Sequence, residues 1–136
     1  VDLLRKASHS FFSSAEPLEL NYGAPAGDQR FLESLAGYLS ESYCEAVSSE
    51  SIFVTGGSSQ GLDLVSTVFS RVGDTVFVEE PTYFLAFQIL RDHGLKVVGV
   101  PVDQDGMRMD ALEALLCEHR PAFVYTIPTT TRADIA

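Results

Sequence analysis

Ile52-Phe53-Val54-Thr55-Gly56-Gly57-Ser58-Ser59-Gln60-Gly61-Leu62-Asp63-Leu64 runs from an apolar stretch, through two glycines and two serines, into a helical pattern. The β-branched and aromatic residues at 52–55 read as a strand, and Leu62, Val65 and Phe69 fall on one face of a helix over roughly Ser59–Arg71. A strand that enters a helix through a Gly/Ser turn gathers free backbone N–H groups and the positive end of a helix dipole at one point. That is a site for an anion, phosphate above all, with the Ser58 and Ser59 hydroxyls as further donors.

Strands and helices alternate on both sides of this turn. Upstream, Leu32, Leu35, Ala36, Leu39 and Tyr43 form a helical stripe over Asp28–Tyr43. Downstream, Gly73-Asp74 turns into the strand Thr75–Glu79, and Pro81 is expected to open a helix that ends at Gly94. Lys96–Val102 reads as the next strand, closed by the turn Asp103-Gln104-Asp105-Gly106. Asp110 with Glu113 makes a capping-box-like start for a helix over Ala111–His119, and Pro121 precedes the strand Ala122–Ile127. The strands are continuous apolar runs, as expected where helices cover both faces. The fold class is therefore α/β, three-layered, with a mostly parallel sheet.

Composition narrows the function classes. With 46 % hydrophobic residues in 136, the chain can bury one core. A net charge of −10, with the basic residues scattered singly or in pairs, excludes a nucleic-acid footprint. No apolar run approaches the ~20 residues needed to cross a bilayer. The start Val1-Asp2-Leu3-Leu4-Arg5-Lys6 has no initiating Met and no apolar signal core, and reads as the middle of something. Cys44 and Cys117 match no metal spacing and no disulfide-rich pattern, so a cytoplasmic location is expected, with both thiols buried on helices. No metal site is expected.

In open α/β sheets, ligands bind beyond the carboxyl ends of the strands. Those ends carry Gly56–Gln60, then Glu79-Glu80-Pro81-Thr82-Tyr83, then Pro128-Thr129, so an anion pocket would sit beside an aromatic ring. Tyr83 has a plainer reading as a helix-start aromatic packed on the sheet. Glu79, Glu80 and Asp103 read as solvated strand-end charges. Neither the G-x-G-x-x-G dinucleotide fingerprint nor a Walker loop is present. Gly57-Ser58-Ser59-Gln60-Gly61 does match G-x-S-x-G, which offers an alternative: a serine hydrolase with Ser59 as nucleophile, an acid from Asp103 or Asp105, and His119. Against it, no His-Gly-Gly segment lies upstream and too few strands precede the turn.

The ordered set of these segments resembles the large domain of the class I/II pyridoxal-phosphate-dependent aminotransferases, of the aspartate aminotransferase fold. The matching residues are Leu20-Asn21-Tyr22-Gly23 with Gly27 and Arg30, the stretch 52–63, and Gly73–Tyr83. Val100-Pro101-Val102-Asp103, Asp105-Gly106-Met107, Leu112-Glu113 and Val124–Pro128 continue the set. Within the class the chain is most similar to the 2-aminoadipate and kynurenine aminotransferase branch. The resemblance implies pyridoxal 5'-phosphate as cofactor and amino-group transfer between an amino acid and a 2-oxo acid. It implies that Ser58, Ser59 and the Gln60 backbone hold the phosphate, that Tyr83 stacks on the pyridine ring, and that Tyr22 reaches a phosphate in the partner subunit of a homodimer. A loop Tyr capping the local core is the plainer reading of Tyr22.

The same resemblance marks departures. Arg132 stands about where an Asn supporting the ring oxygen is expected. The only lysines are Lys6 and Lys96, neither suited to form the Schiff base, so no catalytic residue is assigned. The expected organisation is a lead-in segment at 1–19, a partial large domain at 20–129 and a divergent or truncated tail at 130–136. The whole is read as the N-terminal part of a large domain, inactive by itself. A non-catalytic dimerising or cofactor-binding module is a further alternative.

Overall fold

A computed structural model describes residues 1–17 and 21–128. Leu20 and the tail from Thr129 to Ala136, with Arg132, lie outside the described residues. The chain divides into two compact units, Val1–Val54 and Thr55–Ala136.

The first unit holds helices α1 (Asp2–Ser14) and α2 (Gln29–Tyr43) and a 3-10 turn at Ser49–Ser51. Asp28 caps α2 by accepting the Phe31 N–H at 3.1 Å, and Leu32 and Ala36 are its buried positions. Ser40 bonds back to the Ala36 carbonyl at 2.7 Å and accepts the Val47 N–H at 2.9 Å, which folds the following loop against the helix. Residues 52–55 differ from expectation. The backbone is extended from Ile52 (φ −106°, ψ 132°), and Val54 donates to the Ala26 carbonyl at 2.9 Å, but no strand ladder forms there among the described residues. An extended run becomes a strand only where a neighbour offers successive backbone partners.

The second unit is an α/β layer structure: α3 (Ser58–Phe69), β1 (Thr75–Glu80), α4 (Phe84–Asp92), β2 (Lys96–Asp103), β3 (Gly106–Met107), α5 (Met109–Glu118) and β4 (Pro121–Tyr125). The sheet order is β3-β2-β1-β4; β1 pairs in parallel with β2 and β4, and β3 closes a short antiparallel hairpin on β2. The mostly parallel sheet is thus as expected, with β3 added by the turn before Gly106.

β1 is buried on both faces: Val76, Phe77, Val78 and Glu79 are all buried. Val76 and Val78 join Leu62 of α3 and Ala86 and Leu90 of α4 in the main cluster, flanked by Val97, Phe123 and Tyr125. Phe77 points the other way, its ring edge-on to His119 just past α5 at 6.2 Å between centroids. This alternation is why an uninterrupted apolar run is needed there.

Two helix starts fall elsewhere than the sequence suggests. α4 begins at Phe84 rather than Pro81, because Tyr83 keeps extended backbone angles (φ −67°, ψ 122°) as its N-cap. The Glu80–Pro81 bond ahead of it is cis. α5 is capped by Arg108, not Asp110; Asp110 lies in its first turn and pairs with the Arg108 guanidinium, Nε to Oδ1 at 3.1 Å. The cysteines also differ. Cys44 and Cys117 are both exposed free thiols, Cys44 as the left-handed cap that ends α2 (φ 53°) and Cys117 on an open face of α5. Among the described residues no helix is long and apolar enough to cross a membrane, and no cluster has the makings of a metal site.

Candidate cofactor site at the carboxyl end of the sheet

α3 runs back toward the amino end of β1, and α4 leaves the carboxyl end of β1. The N-termini of both helices therefore lie at the same end of the parallel sheet. Ser58, Ser59 and Gln60 are the first three residues of α3, all exposed, and Tyr83 is the N-cap of α4. The topology thus brings these four residues to one rim. Tyr22 belongs to the first unit and is fully exposed at 103 %, so it caps no local core.

The start of α3 is shaped by Gly57, with φ 125° and ψ 172°, a region open essentially to glycine alone. Its carbonyl accepts both the Gly61 N–H at 3.1 Å and the Thr55 hydroxyl at 3.0 Å. The Gln60 carboxamide oxygen folds back to accept the N–H of Gly56, the residue before the N-cap. Helix geometry leaves the Ser58, Ser59 and Gln60 N–H groups with no acceptor inside α3. No side chain caps them, and no acidic residue occupies the first turn to neutralise the dipole. The positive end of α3 thus carries uncapped N–H groups beside two serine hydroxyls, an arrangement that can hold an anion.

At the neighbouring helix start, the Tyr83 ring is 40 % exposed and meets Phe84 edge-on at 5.3 Å. It is therefore not packed away on the sheet. The hydroxyl of Thr82 is buried without a hydrogen-bond partner among the described residues.

The strand ends correct one reading. Glu79 is not a solvated charge: it is 8 % exposed and its carboxylate accepts from the Thr126 hydroxyl and, at 3.1 Å, from the Ile127 N–H. Glu80 and Asp103 are exposed as expected. Local sequence offers little warning of Glu79, since its two donors lie 47 and 48 residues further on. Burial holds the Tyr125 phenol above the ordinary tyrosine pKa, with the charge of Glu79 and then the Tyr83 phenol adding to the shift.

The hydrolase arrangement does not assemble. Ser59 sits in regular helix, without the strained turn that presents a nucleophile. His119 precedes β4, at the amino end of the sheet, with its ring against Phe77. Asp103 is engaged in its own turn, accepting the Asp105 N–H at 2.8 Å.

The family profile for aminotransferase class I and II matches residues 3–128. The chain belongs to that family. It is 38 % identical over 134 residues to aromatic-amino-acid aminotransferase 1 of Thermococcus litoralis, covering 95 % of this chain and 32 % of that protein. In structure it is similar to the kynurenine aminotransferase of Pyrococcus horikoshii solved with PMP, with a TM-score of 0.85 and 31 % identity over 94 % of this chain and 33 % of that one. It is also similar to the α-aminoadipate aminotransferase of Thermus thermophilus solved with N-(5'-phosphopyridoxyl)-L-leucine, with a TM-score of 0.81 and 32 % identity over 92 % of this chain and 31 % of that one. The fold and the branch of the class are those the sequence suggested. The chain spans about a third of the length of these relatives.

Proposed function

We propose that this chain is the cofactor-binding portion of an aminotransferase that moves amino groups between an amino acid and a 2-oxo acid, and that it holds pyridoxal 5'-phosphate at the start of α3. The observation that carries the reading is the acid-free, glycine-capped start of α3, with free N–H groups at Ser58–Gln60 at the same rim as the open ring of Tyr83. Relatives solved with phosphopyridoxyl groups support it.

In this reading the Ser58 and Ser59 hydroxyls and the N–H groups of residues 58–60 bind the phosphate, and the Tyr83 ring lies against the pyridine ring. When bound, the cofactor supplies an electron sink for the bonds at the amino-bearing carbon of a substrate. The chain's own residues bind and orient. Lys96 opens β2 at the amino end of the sheet, so it is assigned no role, and the proposal gives this chain no base. Tyr22, on the other unit, is proposed to reach the phosphate held by a second subunit of a cytoplasmic homodimer, with residues 20–129 as the aminotransferase part.

Pyridoxamine 5'-phosphate is the useful probe, since it has no aldehyde to react with Lys6, Lys96 or the amino terminus. Titration into ¹⁵N-labelled protein is expected to move the amide signals of Ser58, Ser59 and Gln60. Inorganic phosphate should move the same signals, and pyridoxamine without its phosphate should not. Equal shifts with pyridoxamine, or none with the phosphorylated compounds, would overturn the reading.

A further inference from the structure

Glu79 sits where the apolar run of β1 would accommodate another valine, yet it is a carboxylate buried to 8 % exposure. Among the described residues no Lys, Arg or His forms an ion pair with it. An isolated buried carboxylate is costly unless hydrogen bonds replace its water. Here each oxygen has its own donor: Oε1 takes the Thr126 hydroxyl and Oε2 takes the Ile127 N–H.

The position of these donors explains the arrangement. The β1–β4 ladder runs through Val78↔Tyr125 and stops there. Glu79 is thus the residue opposite Thr126, on the same face of the sheet, at the point where β4 loses its backbone partners. The carboxylate takes over from the ladder and ties down the next two residues of the chain. A valine could fill the space but could not accept either proton, and the Ile127 N–H would lose its acceptor. The surroundings place this tie at the ligand rim. Tyr125, half-buried, lies within the electrostatic reach of both Glu79 and Tyr83.

We propose that Glu79 is a positioning residue, a bidentate clamp that holds Thr126–Ile127 to the end of β1. It thereby fixes the ring side of the cofactor site without touching the phosphate cradle. The inference rests on the cofactor-binding reading above. It assigns different determinants to the two halves of one ligand: the start of α3 for the phosphate, and the β1–β4 strand ends for the ring side.

The experiment uses the full 136-residue chain, with Glu79→Gln and Thr126→Val as variants. Three quantities are measured on each: affinity for pyridoxamine 5'-phosphate, affinity for inorganic phosphate, and the exchange rate of the Ile127 amide. The carboxamide introduced by Glu79→Gln has one acceptor oxygen and turns an N–H toward one of the two donors. Loss of a hydrogen bond to a charged group is then expected to speed Ile127 exchange about tenfold or more. Affinity for pyridoxamine 5'-phosphate should fall about three- to tenfold, on the scale of one such bond, with inorganic phosphate unchanged. Removing a negative charge would by itself tighten both ligands, and a general loss of stability would move both or neither, so the split is specific to positioning.

Thr126→Val keeps the charge and the volume and removes one donor. It should show the same split at smaller size, and it carries the test alone if Glu79→Gln does not fold. Unchanged Ile127 exchange, or equal changes for the two ligands, overturns the clamp while leaving cofactor binding intact. A wild-type chain that binds neither ligand overturns the cofactor reading, and the positioning role falls with it.

Discussion

The two ends of the second unit's sheet are built from similar residues and finished in opposite ways. At the amino end, the turns before β1 and β2 close on each other. Gly94 (φ +70°) ends α4 with the paired bonds of a Schellman motif, Leu95 N–H to Leu90 at 3.1 Å and Gly94 N–H to Arg91 at 2.8 Å. Gly73 donates to the Gly94 carbonyl at 2.9 Å, Lys96 to Asp74 at 2.8 Å, and the Asp74 carboxylate takes the Arg71 N–H at 2.8 Å. At the carboxyl end, the α3 start leaves three N–H groups unclaimed, the Thr82 hydroxyl has no partner among the described residues, and Tyr83 stands open. Glycine serves both ends, but its neighbours decide the use. Surrounded by carbonyls and an aspartate it closes a turn; followed by serines and no acid it leaves a cradle. The turns at the amino end spend their backbone groups on one another, while the start of α3 at the carboxyl end keeps the unclaimed donors that the proposed phosphate would use.

The comparison is most severely tested at Gly94. A side chain there would take a left-handed conformation, and its Cβ would come within 3.0 Å of Val72 Cγ1. Gly94→Val should lower stability by about 2–3 kcal/mol, from backbone strain with a β-branched residue. The chain has no Trp, so urea unfolding followed by far-ultraviolet circular dichroism is the suitable measurement. Phosphate affinity, measured where the protein remains folded, should not change. A variant that lost both together would show that the two ends are not independent.

Ser58→Asp attacks the other end and should separate the two properties in sign. An acid in the first turn of α3 complements the helix dipole, so stability should rise by about 0.3–1 kcal/mol. The same carboxylate occupies the anion's place and repels it, so affinity for inorganic phosphate should drop by about tenfold or more, on the scale of a close charge pair near a surface. A gain in stability with phosphate binding intact would mean that the anion site is not at this helix start.

How much of this is legible in advance depends on how far apart the cooperating residues lie. β1 and α4 are legible because Val76-Phe77-Val78 is continuous and Gly73 and Gly94 punctuate it locally. The Gly57 turn is legible for the same reason, since its glycines, its serines and the absence of acids fall within a few residues. The segment at 52–55 has the composition of a strand, but composition does not supply the neighbouring ladder. Asp110 and Glu113 fit a cap by spacing, yet Arg108 draws Asp110 into an ion pair past the true cap. Glu79 is the hardest. A carboxylate after an apolar run looks solvated unless one knows that Thr126 and Ile127 come alongside it. Cys44 and Cys117 turn out exposed because hydrophobic character says what a thiol tolerates, not which helix face it occupies.

The smallest expected effect concerns the part of the carboxyl end that is closed rather than open. Tyr125 is half-buried, and burial foremost, then the charge of Glu79, raises its pKa above the ordinary value. The sign follows from which state keeps the proton. Below a pH of about 10 the phenol is protonated in folded and unfolded chains alike, and its full contribution to stability is present. As pH climbs through the raised folded value, the unfolded chain ionises first and is favoured, so that contribution is lost. Tyr125→Phe should therefore lose less stability between pH 7 and pH 11 than the wild type, by thermal unfolding at the two values. In a Glu79→Gln background the difference should shrink without vanishing, because burial rather than the carboxylate is the larger cause. An equal fall in wild type and Tyr125→Phe would instead place Tyr125 in open solvent and remove the closed floor from beneath the rim.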